Sequence, residues 1–183
     1  MKLFENRDKP LRLLHFAPER FFYKLFSNYE MIEYTPCDLF PEIYDYGGKI
    51  KVKKVDITQI PFDDQSFDLI LCNHVLEHIP DDLRAMSELY RVLSNNGQGI
   101  FQVPLDYSKN HTYEDFKITD PKERKIAFGQ HDHVRIYGKD YKDSLEKVGF
   151  NVEVNDFINQ FTKAEKFKYG ILKSELIYYC GKH

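Results

Sequence analysis

His74-Val75-Leu76-Glu77-His78 carries the HxxEH spacing with which zinc peptidases hold a metal and place a carboxylate beside it. That chemistry needs the motif on a helix, so that its ligands share a face. Here it directly follows the apolar run Phe67 to Cys72 and runs into Pro80, with no third ligand evident, so the sequence assigns no metal site. A second polar cluster is Gln130-His131-Asp132-His133-Val134-Arg135. A histidine there can be neutral near pH 7 and take a proton. Arg135 can fork onto a carboxylate or phosphate. The functional reading is an acceptor pocket: His133 is the preferred base, His131 and His74 are alternatives, and Arg135 and Tyr137 contact the substrate. The competing reading is a solvated, charged loop. Asp38 stands about 20 residues after Ala17, a spacing that places a carboxylate on ribose hydroxyls. Its alternative is a turn aspartate before Pro41. Asp56, ahead of Gln59-Ile60-Pro61, is also suited to an Asx turn.

What the first of these loops excludes is as informative. A dinucleotide needs glycines, so that backbone can approach its pyrophosphate at a helix N-terminus. Ala17-Pro18-Glu19 offers a side chain, a missing N–H and a carboxylate in that place. This argues against NAD and nucleoside triphosphates.

The elements that must carry these groups are legible in outline. Leu11 to Ala17 is a short apolar run of strand length, stopped by Pro18. Phe21, Phe22, Leu25 and Phe26 then predict a helix over Glu19 to Asn28. Ile32 to Leu39 reads as a second strand, and the alternating Ile50 to Val55 as a third near a sheet edge. Phe67 to Cys72 is wholly apolar but for Asp68 and suits the centre of a parallel sheet. Pro80-Asp81-Asp82 supplies an N-cap and an acidic first turn. Leu83, Met86, Tyr90 and Leu93 mark one face of the helix that follows, with Leu89 and Val92 beside it. Asn95-Asn96-Gly97 closes it, with Gly97 in the left-handed conformation. Gly99 to Pro104 predicts a fifth strand, Tyr141 to Val148 a helix ended by Gly149, and Phe150 to Val154 and Glu175 to Cys180 the closing strands. Strand and helix alternate, which implies a doubly wound α/β sheet with right-handed crossovers. Ligands in such sheets sit outside the carboxyl ends of the strands, where the strand order reverses. His15 to Glu19, Asp38, Asp56, Asn73 to His78 and the long stretch after Pro104 all fall there.

Composition narrows the class. The chain of 183 residues suits one domain. Its 15 Phe and 13 Tyr are far more aromatic content than a disordered chain carries. A net charge of -3, from 26 basic and 29 acidic residues, gives no general field for phosphates and speaks against a nucleic-acid partner. Cys37, Cys72 and Cys180 are scattered and odd in number, as expected of reduced thiols in a cytoplasmic protein. No apolar run approaches a membrane span of ~18–20 residues. The mixed, charged stretch Met1 to Pro10 does not read as a signal peptide.

Several motifs occur in order at matching separations. Val55-Asp56-Ile57, Pro61-Phe62, Ser66-Phe67-Asp68, Val75-Leu76-Glu77-His78-Ile79, and Glu88-Leu89-Tyr90-Arg91-Val92-Leu93 followed by Gly97 resemble the class I, Rossmann-like S-adenosylmethionine-dependent methyltransferases. The resemblance runs from Leu11 to Val154. Within that superfamily, Leu14-His15-Phe16-Ala17-Pro18-Glu19 and the segment from Phe128 to Gly138 resemble a subgroup with an LHFAPE-type first motif in place of the glycine-rich loop.

The resemblance implies a mostly parallel, seven-stranded, doubly wound Rossmann-like sheet with helices on both faces and the last strand antiparallel. It implies one domain over residues 1–183, with residues 105–138 as a long loop insertion over the cofactor cleft. It implies S-adenosylmethionine as cofactor, S-adenosylhomocysteine as product, and cofactor contacts at His15, Phe16, Ala17, Glu19, Asp38, Asp56, Ile57, Asn73 and His74. Glu19 and the carbonyls of residues 15–17 would accept from the ammonium of the cofactor, the alternative being a Glu19 that caps a helix. Asp56 would accept from the adenine amino group and Ile57 would pack on the ring. Phe62 covers the adenine edge or belongs to the core. Some related enzymes gather a divalent ion after the fourth strand, and His74, Glu77 and His78 are placed for it. The preferred reading is that His78 packs the loop and bonds backbone. The implied reaction is methyl transfer to a small-molecule oxygen or nitrogen acceptor, with no nucleic-acid or membrane partner. The rival is a non-catalytic cofactor-binding or scaffold domain on the same fold. An NAD-dependent oxidoreductase is disfavoured by Glu19 and the missing glycines.

Overall fold

A computed structural model describes residues 8–48, 50–171 and 176–182. The signal-peptide reading of the N-terminus falls largely on residues 1–7, and the expected start of the last strand on residue 175. Both lie outside the described residues.

The apolar run near the N-terminus forms β1 (Leu11–Phe16), buried at five of its six positions. Burial without alternation is the mark of a strand covered on both faces. The same holds for β4 (Phe67–Asn73). With β2 (Ile32–Asp38), β3 (Lys53–Lys54), β5 (Leu93–Gln102), β8 (Asn151–Asn155) and β9 (Ile177–Gly181) they form a seven-stranded sheet in the order β3-β2-β1-β4-β5-β9-β8. The pairs β2–β3, β1–β2, β1–β4 and β4–β5 are parallel. Strand β9 runs antiparallel to both β5 and β8. The fold class is the expected one, with β4 central and β3 at the edge. The order reverses between β1 and β4, which puts the ligand crevice beyond their carboxyl ends.

Alternate residues of β1 and β4 serve opposite faces. Leu14, Phe16, Ile70 and Cys72 pack with Ala85, Met86, Leu89 and Val92 of α2 (Asp82–Val92) and Tyr141 and Leu145 of α4 (Tyr141–Lys147). Leu11, Leu13, Leu69 and Leu71 pack with Tyr23 and Phe26 of α1 (Arg20–Ser27). The three cysteines are buried and unpaired. Among the described residues no helix is long and apolar enough to cross a membrane.

Helix α2 starts as expected, with the Asp81 carboxylate accepting from the Arg84 N–H at 3.1 Å. Its buried stripe is Ala85, Met86, Leu89 and Val92; Leu83 lies off it and is exposed, and Tyr90 flanks it against Phe150. The helix also passes straight into β5 at Leu93, six residues before the expected strand. A register shift opposite Phe67 to Leu69 absorbs the extra residues. Asn96, not Gly97, takes the left-handed turn, at φ 62°. Gly97 is required for a different reason: a Cβ there would stand 2.7 Å from the Ser94 carbonyl oxygen. Glu88 and Arg91 of α2 staple the turn after β3, since Ile60 N–H donates to Glu88 and Arg91 donates to the carbonyls of Ile60 and Phe62. Phe62 packs edge-on against Phe67 and belongs to the core.

The segment 105–138 is structured rather than a loop. It holds β6 (Tyr113–Glu114), α3 (Pro121–Phe128) and β7 (Arg135–Ile136), with β6 and β7 antiparallel. Helix α3 is bounded by strong local signals. Asp120 accepts from Lys122 and Glu123, Pro121 opens the first turn, and Gly129 closes the helix at φ 87°. Helix α5 (Lys163–Tyr169), opened by a Thr162–Glu165 capping box, precedes β9.

Candidate functional site

The carboxyl ends of β1, β2 and β4, with the turn after β3, enclose a cavity of 420 Å³. Phe16, Ala17, Asp38, Asp56, Ile57 and His74 line it, together with Leu39, Phe40, Ile43, Val55, Val75, His78, Ile79 and Asp132. Ala17 and His74 both occupy the left-handed region, at φ 48° and 54°. Non-glycine residues in that region are uncommon and concentrate at functional sites. The chain therefore makes the sharp turns of a glycine loop without the glycines. The Ala17 N–H donates to the Cys37 carbonyl at 3.0 Å, and Pro18 has no N–H. These two positions leave no backbone donor for a phosphate.

Asp38 and Asp56 both make local turns and both line the cavity. One Asp38 oxygen accepts from the Phe40 N–H and the other from the Tyr44 hydroxyl, each at 2.8 Å. Burial and the Asp38 carboxylate push the Tyr44 hydroxyl well above its ordinary pKa, so it stays a donor. Oδ1 of Asp56 accepts from the N–H and hydroxyl of Thr58, an Asx turn. A carboxylate has about four lone-pair sites, so both residues are oriented by their turns and retain acceptor capacity. Ile57 is buried beneath Asp56 on the same wall.

His15, Glu19 and Asn73 form a polar chain across β1 and β4, off the cavity wall. His15 is fully buried, with Nδ1 2.9 Å from the Tyr34 hydroxyl and Nε2 2.8 Å from Glu19 Oε2. Asn73 Nδ2 donates to Glu19 Oε1 at 3.1 Å. Burial pushes the Glu19 carboxyl up, but hydrogen bonds from His15 and Asn73 outweigh it and hold the pKa below the usual carboxylate value. Glu19 does not cap α1 through its side chain. It keeps one edge open to solvent, its side chain being 42% exposed.

The residues assigned to an acceptor pocket do not converge on one cavity. His74 lines it. His131 is 69% exposed beside Asp132 and does not line it. His133 is buried behind the wall, its Nδ1 3.3 Å from the Phe128 carbonyl and its ring edge-on to His78. Burial, then the neighbouring His78, lowers its pKa, so it is neutral at neutral pH. The substrate roles expected of Arg135 and Tyr137 are corrected by their surroundings. Arg135 is 1% exposed and all five of its donors are engaged: two on Glu114, and one each on the carbonyls of Leu76, Ile79 and Pro80. The Tyr137 hydroxyl donates to Asp82 at 2.6 Å, and its side chain is buried. Both are internal struts that fix the 3-10 turn Leu76–His78 and the start of α2 to the 105–138 segment. The sequence reading missed Tyr44 and Phe40 at the site, and gave Asp132 of the polar cluster no role of its own. Tyr44 and Phe40 follow Asp38 closely enough that an Asx turn would have signalled them; Asp132 arrives only through the tertiary path.

Residues 20–101 match the model of a family described as a methyltransferase domain. An uncharacterized protein of Methanocaldococcus jannaschii, MJ0638, is 42% identical over 74 residues, which are 38% of this chain and 32% of that one. Sterol 24-C-methyltransferase of Yarrowia lipolytica is 27% identical over 122 residues, 64% of this chain and 30% of that one. The chain thus spans about a third of the length of these relatives. Phosphoethanolamine N-methyltransferase 2 of Haemonchus contortus, solved with S-adenosyl-L-methionine, superposes with a TM-score of 0.60 at 16% identity, covering 99% of this chain and 50% of that one. The chain thus shares its fold with this methyltransferase, and residues 20–101 are similar to the methyltransferase-domain family.

Proposed function

We propose that this chain is a methyltransferase domain that binds S-adenosylmethionine in the cavity at the ends of β1 to β4 and transfers its methyl group to a small-molecule acceptor. The observation that carries the reading is the single wall on which Asp38, Asp56 and Ile57 stand with the turn at Ala17. Asp38 would hold the ribose hydroxyls, and Asp56 the adenine amino group over Ile57. Glu19, ionised and held by His15 and Asn73, would accept from the ammonium at the open edge of the cleft. The turn at Ala17 suits a ligand without phosphate, in keeping with the LHFAPE-type subgroup.

When bound, the cofactor supplies a methyl group on a cationic sulfonium. The chain supplies alignment, which is the larger share of such a displacement. An acceptor that keeps its proton at neutral pH also needs a base, and of the three histidines first considered His74 is the one on the cavity wall. The sterol 24-C-methyltransferase and the phosphoethanolamine N-methyltransferase are named for unlike acceptor atoms, carbon and nitrogen, so the oxygen or nitrogen acceptor expected from the sequence is left for the acceptor screen to decide.

Calorimetric titration with S-adenosylhomocysteine and with NAD tests the cofactor, with binding of the first alone expected. A screen of acceptors with methyl-labelled cofactor then separates an enzyme from a binding scaffold. Binding of NAD, or of neither ligand, would overturn the cofactor assignment. In the His74→Ala variant turnover should fall by far more than S-adenosylhomocysteine affinity.

A further inference from the structure

Behind the cavity wall lies a buried carboxylate without a hydrogen-bond donor. Glu77 is 1% exposed, and neither of its side-chain oxygens has a hydrogen-bond donor. The nearest basic side chain, His74, has Nδ1 3.6 Å from Oε1, and that histidine is 58% exposed. An ionised carboxylate in such a place is costly unless it is paired or coordinates a metal. Two imidazoles complete the surroundings. One oxygen of Glu77, one ring nitrogen of His78 and one of His133 all lie within 4.8 Å of one another. Donors on a single tetrahedral ion stand roughly 3.4 Å apart, given bond lengths of ~2.0–2.1 Å, so small side-chain rotations close the site.

The ring orientations point the same way. His133 places Nδ1 on the Phe128 carbonyl, and His78 places Nδ1 3.4 Å from the Asp132 carboxylate. Each leaves Nε2 uncommitted. A metal-ligating histidine almost always gives its other nitrogen to a carbonyl or carboxylate, which fixes its tautomer. The frame is rigid as well. The Val134 N–H donates to the Glu77 carbonyl, and Arg135 ties together the carbonyls around the same turn. Arg135 is thus a positioning residue that sets His133 against Glu77 and His78. The HxxEH spacing would have paired His74 with His78. On a 3-10 turn the sequence neighbours diverge, and His133 takes that place.

We propose that Glu77, His78 and His133 bind one divalent first-row transition-metal ion of the zinc type. Two imidazoles and one carboxylate suit such an ion over magnesium or calcium, which favour all-oxygen sites. His78 also lines the cavity, so the ion would sit in its wall with a position open toward the acceptor, where it would polarise an acceptor oxygen. That role rests on the methyltransferase reading; the metal site does not.

The test is calorimetric titration of chelator-treated protein with zinc chloride and, separately, with magnesium chloride. One zinc per chain is expected, with magnesium binding weaker by at least roughly a hundredfold. Glu77→Gln and His133→Phe should each lower zinc affinity by roughly a hundredfold or more, whereas His131→Ala should retain it. A second readout is the melting temperature. Zinc should raise it in the wild type and not in Glu77→Gln. No zinc binding in the wild type would overturn the site, as would equal binding by the wild type and both ligand variants. S-adenosylhomocysteine titration of the metal-free protein tests the methyltransferase reading by itself, so the two can fail separately.

Discussion

At the strand ends Asp38 and Asp56 accept hydrogen bonds from neighbours only two to six residues away and line the cavity. In the 105–138 segment Arg135 reaches residues 55 to 59 positions earlier, and the chain itself consumes every donor it has. Both regions are polar and both border the same turn. The difference is range. A carboxylate oriented by its own local turn retains acceptor capacity, whereas a guanidinium recruited to bridge distant carbonyls becomes part of the frame. Residue type and clustering do not separate these cases; what the partners are and how far away they lie does.

The sharpest way to break that contrast is at Arg135. Arg135→Met should lower unfolding stability by ~3–5 kcal/mol, because the change strands the carbonyls of Leu76, Ile79 and Pro80 together with Glu114. Urea unfolding measures it. A change below about 1 kcal/mol, near the middle of the range for ordinary substitutions, would mean that Arg135 is no strut.

On the strand-end side, Asp38→Ala and Asp56→Ala should each weaken S-adenosylhomocysteine binding by ~1–3 kcal/mol, the scale of a lost charge-assisted hydrogen bond. Normal affinity in both variants, with a normal melt, would remove the ligand role from those carboxylates.

A smaller effect is expected at Ala17, whose backbone sits at φ 48°. The left-handed conformation costs an L residue ~1–2 kcal/mol, and glycine gives back ~0.5–1 kcal/mol of chain entropy. Ala17→Gly should therefore stabilise the protein by about 0.5–1 kcal/mol. A loss of stability would show that the Cβ packs to more purpose than lining the cavity.

The smallest effect is one of pH. The folded Glu19 carboxyl titrates below its ordinary value because His15 and Asn73 hold the ionised form against the cost of burial. Its contribution is fully present above an unfolded pKa of ~4.3 and is lost as pH falls through the lower folded value. The stability difference between wild type and Glu19→Gln should shrink over that acid window. A difference that stays flat with pH would place Glu19 outside the polar chain.

Sequence alone determined the order of the strands along the chain, the parallel character of the sheet, the cap at Asp81 and the carboxylates at Asp38 and Asp56. Each of these rests on neighbours within a few residues: apolar runs, a capping aspartate, a turn after a strand. It also held the caps of α3, Asp120-Pro121 and Gly129, which turn the supposed loop into a helix. Tertiary structure decided the rest. Whether Arg135 and Tyr137 met a ligand or the chain depended on Leu76, Pro80, Asp82 and Glu114, none of them close in sequence. Which histidine joined Glu77 and His78 depended on the path of a segment that returns 55 residues later. Local periodicity fixes which way a side chain leaves its own strand or helix. Only the packed fold fixes what it finds there, because burial and the pairing of distant polar groups are set by all the elements at once.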